Sequence, residues 1–241
     1  MRTPTPAQLL QVWERGGEQS AAACGLLLLG IGCDEYSAEA IAALPLGRRD
    51  ALLLQLRARL FGEEICGVAN CPQCAAAVEA TFRCEDLLSA QDACAASAAT
   101  LEHVSPAHGF HVHFRLPDSN DLLALENCAD AVAARRVLLE RCVLDAQPGE
   151  LPAAVQAEIA QAMAAADPQA DLQLAFICPS CAHSWQPLFD VAGFLWRELH
   201  AWALRMLRDV DTLAHAYHWR EADILSLSAR RRQAYLELCA P

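Results

Sequence analysis

Two short cysteine boxes are the residues of this sequence best suited to chemistry. The first, CPQC, runs from Cys71 to Cys74, and the second, CPSC, runs from Cys178 to Cys181, more than a hundred residues further along. A Cys-x-x-Cys turn offers two thiolates from one tight loop, and structural zinc takes four such ligands at the corners of a tetrahedron. The pattern therefore predicts that the four cysteines bind one Zn²⁺ ion. Because protein would fill every coordination position, the predicted site is structural and not hydrolytic.

Other ligand sets are compatible with the sequence. Cys66 and Cys84 flank the first box and could complete a local four-cysteine site, and His183 could replace one thiolate. The boxes could also be metal-free turns or a redox pair. A catalytic redox box usually opens a helix in a βαβ context, and neither box here does so. Iron and cadmium also accept four thiolates, so the pattern leaves the metal's identity open.

The residue after the second Cys of such a knuckle is commonly Gly, because the turn tends to require a positive φ. Ala75 and Ala182 hold these places here. A left-handed Ala costs roughly 1–2 kcal/mol. Zinc binding to thiolates contributes about 10 kcal/mol or more, so a bound metal can offset that strain.

Composition limits the classes of partner. The chain has 241 residues, 54% of them hydrophobic, so it can bury a core without metal or disulfides. It carries 18 Lys and Arg against 30 Asp and Glu, a net charge of -12, which disfavours binding to nucleic acid or anionic membrane. The longest apolar run, AAACGLLLLGIGC, is about half the length of a membrane span, and no secretory signal is visible. We expect a cytoplasmic protein whose cysteines stay reduced.

Hydrophobic periodicity predicts an α+β fold that is mostly helical, with a small zinc-ribbon-like antiparallel sheet formed by the two knuckles. Apolar residues from Val191 to Tyr217 recur every three or four positions, as on one long helix. Alternation predicts a strand over 109–117, and Ser119 or Asn120 is expected to cap the next helix. We predict one composite domain with five parts: an N-terminal helical region (1–62), the first knuckle and strands (63–117), a helical insertion (118–168), the second knuckle (169–190), and a long helix with a helical hairpin (191–241).

No catalytic motif stands out, so we expect a protein without enzymatic activity. His111 and His113 share one side of a strand, which suits either metal binding or an exposed face. Asp118 and Asp121 have the spacing of a helix cap and a first-turn residue. Arginines outside these motifs are predicted contacts with a partner protein or a solvated face: Arg48, Arg49, Arg230, Arg231 and Arg232.

Several separated blocks resemble one known family. They are ALPLGRRDALLLQLR before the first box, FRLPDSNDLL after the strand, CPSCAHSW and LFDVAGFLW, and the ending EADILSLSARRRQAYLEL. In this order they are similar to the T4-type baseplate proteins, also labelled baseplate hub assembly chaperones, of contractile phage tails and bacterial contractile injection systems. The likeness spans most of residues 40–240, and the cysteine boxes of relatives map onto the two boxes here.

The resemblance implies a cytoplasmic, non-enzymatic factor of the producing bacterium that helps to build the baseplate hub and spike. Its partners would be hub, spike or wedge proteins, and it either leaves or stays in the assembled particle. The alternative is a zinc-ribbon regulator that binds nucleic acid, which the cysteines and the cluster at Arg230–Arg232 suggest. We regard nucleic-acid binding as the weaker hypothesis because the chain is acidic.

Overall fold

Helices and small antiparallel sheets alternate along the chain, which confirms the α+β class. A computed structural model describes residues 1–88 and 100–239. The Ala-rich connector at 89–99, whose structure the sequence does not predict, lies outside the described residues. Within them the helices are α1 (Pro6–Gly16), α2 (Ala21–Gly32), α3 (Ala38–Ala42), α4 (Leu46–Phe61), α5 (Ser119–Leu125), α6 (Ala131–Cys142), α7 (Ala153–Ala166), α8 (Val191–Tyr217), α9 (Glu221–Ser226) and α10 (Ala229–Cys239).

Three antiparallel sheets are formed by the strands of the described residues. One hairpin pairs β1 with β2, a three-stranded sheet has the order β3-β4-β5, and a second hairpin pairs β6 with β7. Two 3-10 turns, Cys84–Leu87 and Pro168–Ala170, follow β2 and α7. The strands are β1 (Glu64–Asn70), β2 (Ala77–Arg83), β3 (Leu101–Ser105), β4 (Phe110–Phe114), β5 (Val143–Gln147), β6 (Phe176–Ile177) and β7 (Ser184–Trp185).

The largest core lies among α1, α2, α4 and α8. The spacing of apolar residues in α8 predicts one continuous helix, and the helix over Val191–Tyr217 confirms it. Asp190 caps this helix by accepting a hydrogen bond from the backbone N–H of Gly193 at 3.0 Å. The inner faces of three helices supply the fully buried centre: Leu28 and Leu29, Leu53 and Leu56, and Leu195 and Leu199.

Arg57 ties the first hairpin to this helical layer. Its guanidinium makes two hydrogen bonds to Glu198 of α8, at 2.9 and 2.7 Å. It also donates to the carbonyl oxygens of Gly62 and Glu64, at 2.7 and 2.6 Å. A buried guanidinium needs such acceptors because desolvation without them is costly. The base of β1 is therefore held against both α4 and α8.

A second core fills the space beneath the three-stranded sheet. Phe110, Val112 and Phe114 of β4 point into it, and α7 covers it with Val155 and Ile159. The sequence predicts a helical region over 118–168, but this region also contains β5, which pairs with β4. The run after Cys142 forms a strand because it extends a sheet that residues 101–114 begin, a long-range contact that periodicity does not reveal.

Asp121 joins the strands to the helices that follow them. Its side chain is fully buried, and it accepts two hydrogen bonds from Arg115, at 2.6 and 2.8 Å, and one from Arg141 at 2.7 Å. The cap of α5 is Asp118, as its spacing from Asp121 suggests, so the expectation that Ser119 or Asn120 caps this helix is wrong. Asp118 and Asp121 satisfy each other's backbone N–H groups, which places them in a capping box.

No helix of the described residues is both long enough and apolar enough to span a lipid bilayer.

Candidate metal centre

The first knuckle is the tip of the β1–β2 hairpin. Seven residue pairs join these strands, from Glu64 opposite Arg83 to Asn70 opposite Ala77. Beyond the last pair, the backbone N–H of Cys71 donates to the carbonyl oxygen of Ala76 at 2.9 Å. The N–H of Ala75 donates back to the carbonyl oxygen of Cys71 at the same distance, which closes the turn.

The second knuckle repeats this construction. The N–H of Cys178 donates to the carbonyl oxygen of His183, and the N–H of Ala182 donates to that of Cys178, both at 2.9 Å. The β6–β7 ladder continues away from the tip, because the N–H of Leu174 donates to Pro187 O at 3.1 Å. The two boxes are therefore the same local structure, although they have little sequence in common beyond Cys-Pro-x-Cys.

Both knuckles contain the strained alanine that the sequence predicts. Ala75 and Ala182 each have a φ of 59°, in the left-handed region that usually requires glycine. The peptide N–H groups of these residues close the two turns, so the strain is part of the turn geometry. Something must offset this cost at each knuckle, and metal ligation is able to do so.

The two knuckles bring all four thiols together. The Sγ atoms of Cys71 and Cys181 are 3.6 Å apart, those of Cys74 and Cys178 are 3.5 Å apart, and all four lie within 4.8 Å of one another. Disulfide sulfurs lie about 2.05 Å apart, so these are not bonded pairs. Four thiolates at about 2.3 Å from a zinc ion would be separated by about 3.8 Å. The donor set and its spacing fit a metal ion held in a tetrahedral thiolate site.

The first cysteine of each box is buried, and the second is exposed. Burial of the Cys178 thiol disfavours its ionisation. Hydrogen bonds from the backbone N–H groups of Cys181 and Ser180, together with the adjacent thiols, outweigh burial and lower its pKa to about 6. Such N–H groups favour a thiolate, which is the form that binds metal.

The other proposed ligands lie elsewhere. Cys66 is exposed, with its Sγ 3.7 Å from Thr81 Oγ1, and Cys84 is buried, with its Sγ 3.9 Å from Arg57 Nη1. The ring of His183 stacks on Trp185 instead of joining the thiols. Over residues 1–88 and 100–239, the group of His, Cys, Asp and Glu side chains close enough to share a metal is the set of four cysteines.

The paired histidines do not form a metal site with this group. His111 and His113 lie on the outer face of the three-stranded sheet, where His111 Nδ1 is 3.0 Å from Glu102 and His113 Nδ1 is 4.0 Å from Asp145. Of the two interpretations of this spacing, the geometry favours the polar outer face of a sheet.

Aromatic packing joins the hairpins below the thiols. Phe82 of β2 meets Phe189 edge to face, with ring centroids 5.6 Å apart, and Phe189 in turn contacts Phe194 of α8 at 5.2 Å. On the second hairpin, Phe176 stacks on Trp185 at 5.2 Å. The two hairpins therefore contact each other at their tips through the cysteine thiols and at their bases through the rings of Phe82 and Phe189.

The arginines predicted to contact a partner differ in exposure. Arg49 is 5% exposed and forms an ion pair with Asp50 at 2.7 Å, so the expectation that it is exposed is wrong. Arg48 is half-buried. Arg232 bonds to Asp209 of α8 at 3.2 Å, which leaves Arg230 and Arg231 as the exposed members of the C-terminal cluster. Charge pattern alone does not distinguish an arginine that pairs within the fold from one that faces solvent.

Taken together, the fold and the site define a mixed α+β protein in which four cysteines from two distant hairpins form one possible metal site. Residues 32–196 match the family model described as T4 bacteriophage base plate protein. This match covers well over half of the chain, so the chain belongs to that family. No curated protein matches the chain, and no solved structure matches it.

Membership supports a role related to the phage baseplate and interaction with other baseplate proteins. Both knuckles lie inside the matched residues, together with the Asp121 network. The match ends within α8. The C-terminal block EADILSLSARRRQAYLEL, which also resembles this family, therefore lies beyond the matched residues.

Proposed function

We propose that this protein is a non-enzymatic assembly factor, or a minor component, of the baseplate hub and spike in a contractile, phage tail-like injection system. The observation that carries the proposal is the match to a baseplate family over residues that include both cysteine boxes. Its partners are hub, spike or wedge proteins. It acts in the cytoplasm of the producing bacterium, where such particles are built, and it either leaves or stays in the finished particle.

A structural zinc ion stabilises the fold in this proposal. The thiolates of Cys71, Cys74, Cys178 and Cys181 would hold it. The ion supplies a cross-link between segments more than a hundred residues apart and leaves no position for a reactive water. This arrangement supports a structural role over a hydrolytic one.

The four-cysteine site, with the two knuckles that it connects, is called the clasp below. The clasp holds a defined surface in place for contact with a partner. It fixes two hairpins that have only two strands each, and an isolated two-stranded hairpin is at best marginally stable in water. Once fixed, the hairpins present the exposed apolar side chains of Val68, Ile177 and Leu188. Apolar side chains held at a surface in this way suit protein–protein contact.

A zinc-ribbon regulator that binds nucleic acid has less support. The chain has a net charge of -12, and Arg232 is engaged by Asp209. Arg230 and Arg231 alone would neutralise few phosphates, whereas nucleic-acid affinity depends on many such contacts. Absence of salt-sensitive binding to DNA or RNA would remove this alternative.

Gene deletion and complementation test the proposal. We expect the deletion strain to produce few or no sheathed particles by electron microscopy, and wild-type protein to restore them. Complementation with Cys74→Ser plus Cys181→Ser should fail, whereas Cys128→Ser, which changes a half-buried thiol outside the cluster, should succeed. Normal particles in the deletion strain would contradict the assembly role.

Co-purification tests the partner class. Tagged protein, expressed together with the hub, spike and wedge proteins of the same phage tail-like system, should retain at least one of them in a stoichiometric complex. Metal content measured on the same sample should be about one zinc per chain. Iron in place of zinc would correct the metal while leaving the assembly role intact.

A further inference from the structure

An apolar groove lies beside the first hairpin. Its volume is about 460 Å³. One wall is the stretch of β1 from Cys66 to Ala69, and the other is built from Leu174, Phe176 and Leu188 of the second hairpin and Phe194 of α8. We call this feature the β1 groove. It exists because the clasp holds the two hairpins side by side without pairing their strands.

The wall formed by β1 is an open strand edge. The Cys71 N–H donates to Ala76, and the Cys84 N–H donates to Glu63, so odd-numbered residues of β1 exchange ladder hydrogen bonds with β2. The even-numbered residues therefore direct their N–H and C=O groups away from β2. Cys66 and Val68 are two of these residues, and both line the β1 groove. Among the described residues, β2 is the sole strand that pairs with β1.

This edge lacks the features that usually protect one. Natural edges carry lysine, proline, a bulge or a covering element. The stretch ICGVAN, from Ile65 to Asn70, contains neither charge nor proline, and its pairing with β2 is regular. Val68 is 67% exposed, and Leu188 on the opposite wall is 64% exposed. A row of free backbone groups next to apolar side chains selects an extended polypeptide over a helix.

The charge at the groove defines the ligand further. Arg197 of α8 lines it and rests over the ring of Phe194, with its guanidinium carbon 6.0 Å from the ring centroid. Arg197 is exposed, and no carboxylate among the described residues lies within ion-pair distance of it. Asp190, the acidic residue on the same wall, already caps α8. A free cation in a strongly acidic chain favours an acidic residue in the ligand.

We propose that the β1 groove binds an extended segment of a partner protein. The segment adds a strand to β1 through the backbone groups of Cys66 and Val68, places alternate apolar side chains in the groove, and sets an acidic side chain against Arg197. The identification of that partner as a baseplate protein rests on the proposed function. The mode of binding rests on the groove alone.

A peptide array tests this mode. Short overlapping peptides that tile the hub, spike and wedge proteins of the same phage tail-like system are probed with the full chain. Val68→Pro removes one outward N–H without touching the β2 ladder, and Pro is tolerated at such edge positions. We expect it to weaken peptide binding about tenfold or more, since strand addition depends on main-chain hydrogen bonds.

Two further variants keep the test decisive if Val68→Pro fails to fold. Val68→Lys leaves the backbone intact and adds a protecting charge, and Arg197→Glu reverses the groove's charge. Val104→Lys is the matched control, because Val104 is an exposed valine on the outer strand of the other sheet. We expect the first two to reduce binding and the control to leave it unchanged. Metal content should be the same in all of them.

Hydrogen exchange provides the direct readout. In the free protein the amides of Cys66 and Val68 should exchange rapidly, and a bound peptide should slow both. Failure of every peptide to bind when the deletion strain lacks particles, or undiminished binding by Val68→Lys and Arg197→Glu, would overturn the groove proposal. Normal particles in the deletion strain would instead contradict the baseplate role, and this result is obtained without the peptides, so the two failures can be distinguished.

Discussion

The rings of Phe82 and Phe189 meet edge to face, 5.6 Å apart, and each residue lies eleven positions after the first cysteine of its own box. The thiol contacts are reciprocal as well, because the first cysteine of each box contacts the second cysteine of the other box: Cys71 contacts Cys181, and Cys178 contacts Cys74. Equivalent residues of the two hairpins therefore meet at the tip and at the base. The hairpins behave as two copies of one unit that face each other across a local two-fold relationship.

Phe82 and Phe189 should couple energetically. We expect a double-mutant cycle with Phe82→Leu and Phe189→Leu to give a coupling free energy of about 0.5–1.5 kcal/mol, the usual range for an edge-to-face pair. Chemical denaturation of the metal-loaded protein measures it. Phe110→Leu, combined with Phe82→Leu, is the control, because Phe110 belongs to the second core and the two changes should be additive. Additivity of the Phe82 and Phe189 changes would show that the rings do not stabilise the clasp.

Loss of the metal should loosen the clasp and leave the helical core formed. We expect Cys74→Ser plus Cys181→Ser to abolish stoichiometric metal binding, because two of four ligands are gone. Most helical circular dichroism should persist, since the core of α1, α2, α4 and α8 does not depend on the thiols. Cys66→Ser should keep full metal content. Proteolysis near residues 70 and 180 should accelerate in the double variant alone.

Glycine at the strained knuckle positions should stabilise the protein. Ala75→Gly and Ala182→Gly each relieve a left-handed alanine that costs roughly 1–2 kcal/mol, partly offset by the greater freedom of glycine in the unfolded chain. We expect a net gain of up to about 1 kcal/mol in the free energy of unfolding for each. Ala76→Gly, one residue on and outside the left-handed region, should instead be neutral or destabilising. A loss at position 75 equal to that at position 76 would contradict the strain.

Asp121 should be among the most costly residues to neutralise. Asp121→Asn leaves Arg115 and Arg141 without their shared carboxylate. Both arginines are partly exposed and can be hydrated, so we expect a loss of about 1.5–3 kcal/mol, the usual contribution of hydrogen bonds to a charged group. Asp211→Asn is the control, because that carboxylate forms an exposed pair with His215 and should change stability by less than about 0.5 kcal/mol. Denaturation midpoints compared at one pH decide between these expectations.

The same substitution has a defined pH dependence. Burial would raise the pKa of Asp121, but hydrogen bonds and charges from Arg115, the Asp118 backbone and Arg141 outweigh it and hold the pKa far below its usual value. A depressed carboxyl pKa contributes stability that is complete above the unfolded value, about 3.9, and is lost as pH falls through the folded value. The stability difference between wild type and Asp121→Asn should stay constant from neutral pH to about pH 4 and shrink below it. A difference that shrinks already near neutral pH would contradict this assignment.

The sequence by itself determined the local features. The two Cys-Pro-x-Cys turns, the positive φ at Ala75 and Ala182, the Asp118–Asp121 cap and the length of α8 all follow from residues within a few positions of one another. Turn chemistry and helical periodicity act over these short distances, so a single sequence is sufficient to predict them.

Only the tertiary structure decided which distant residues meet. Arg49 is buried against Asp50, Cys66 faces solvent while Cys178 lies among the thiols, and Val143–Gln147 becomes a strand of a sheet begun by residues 101–114. The β1 groove likewise arises from two hairpins that the sequence separates by about a hundred residues. Burial and pairing of this kind depend on which other segments pack alongside, and residue type and spacing carry little information about that packing.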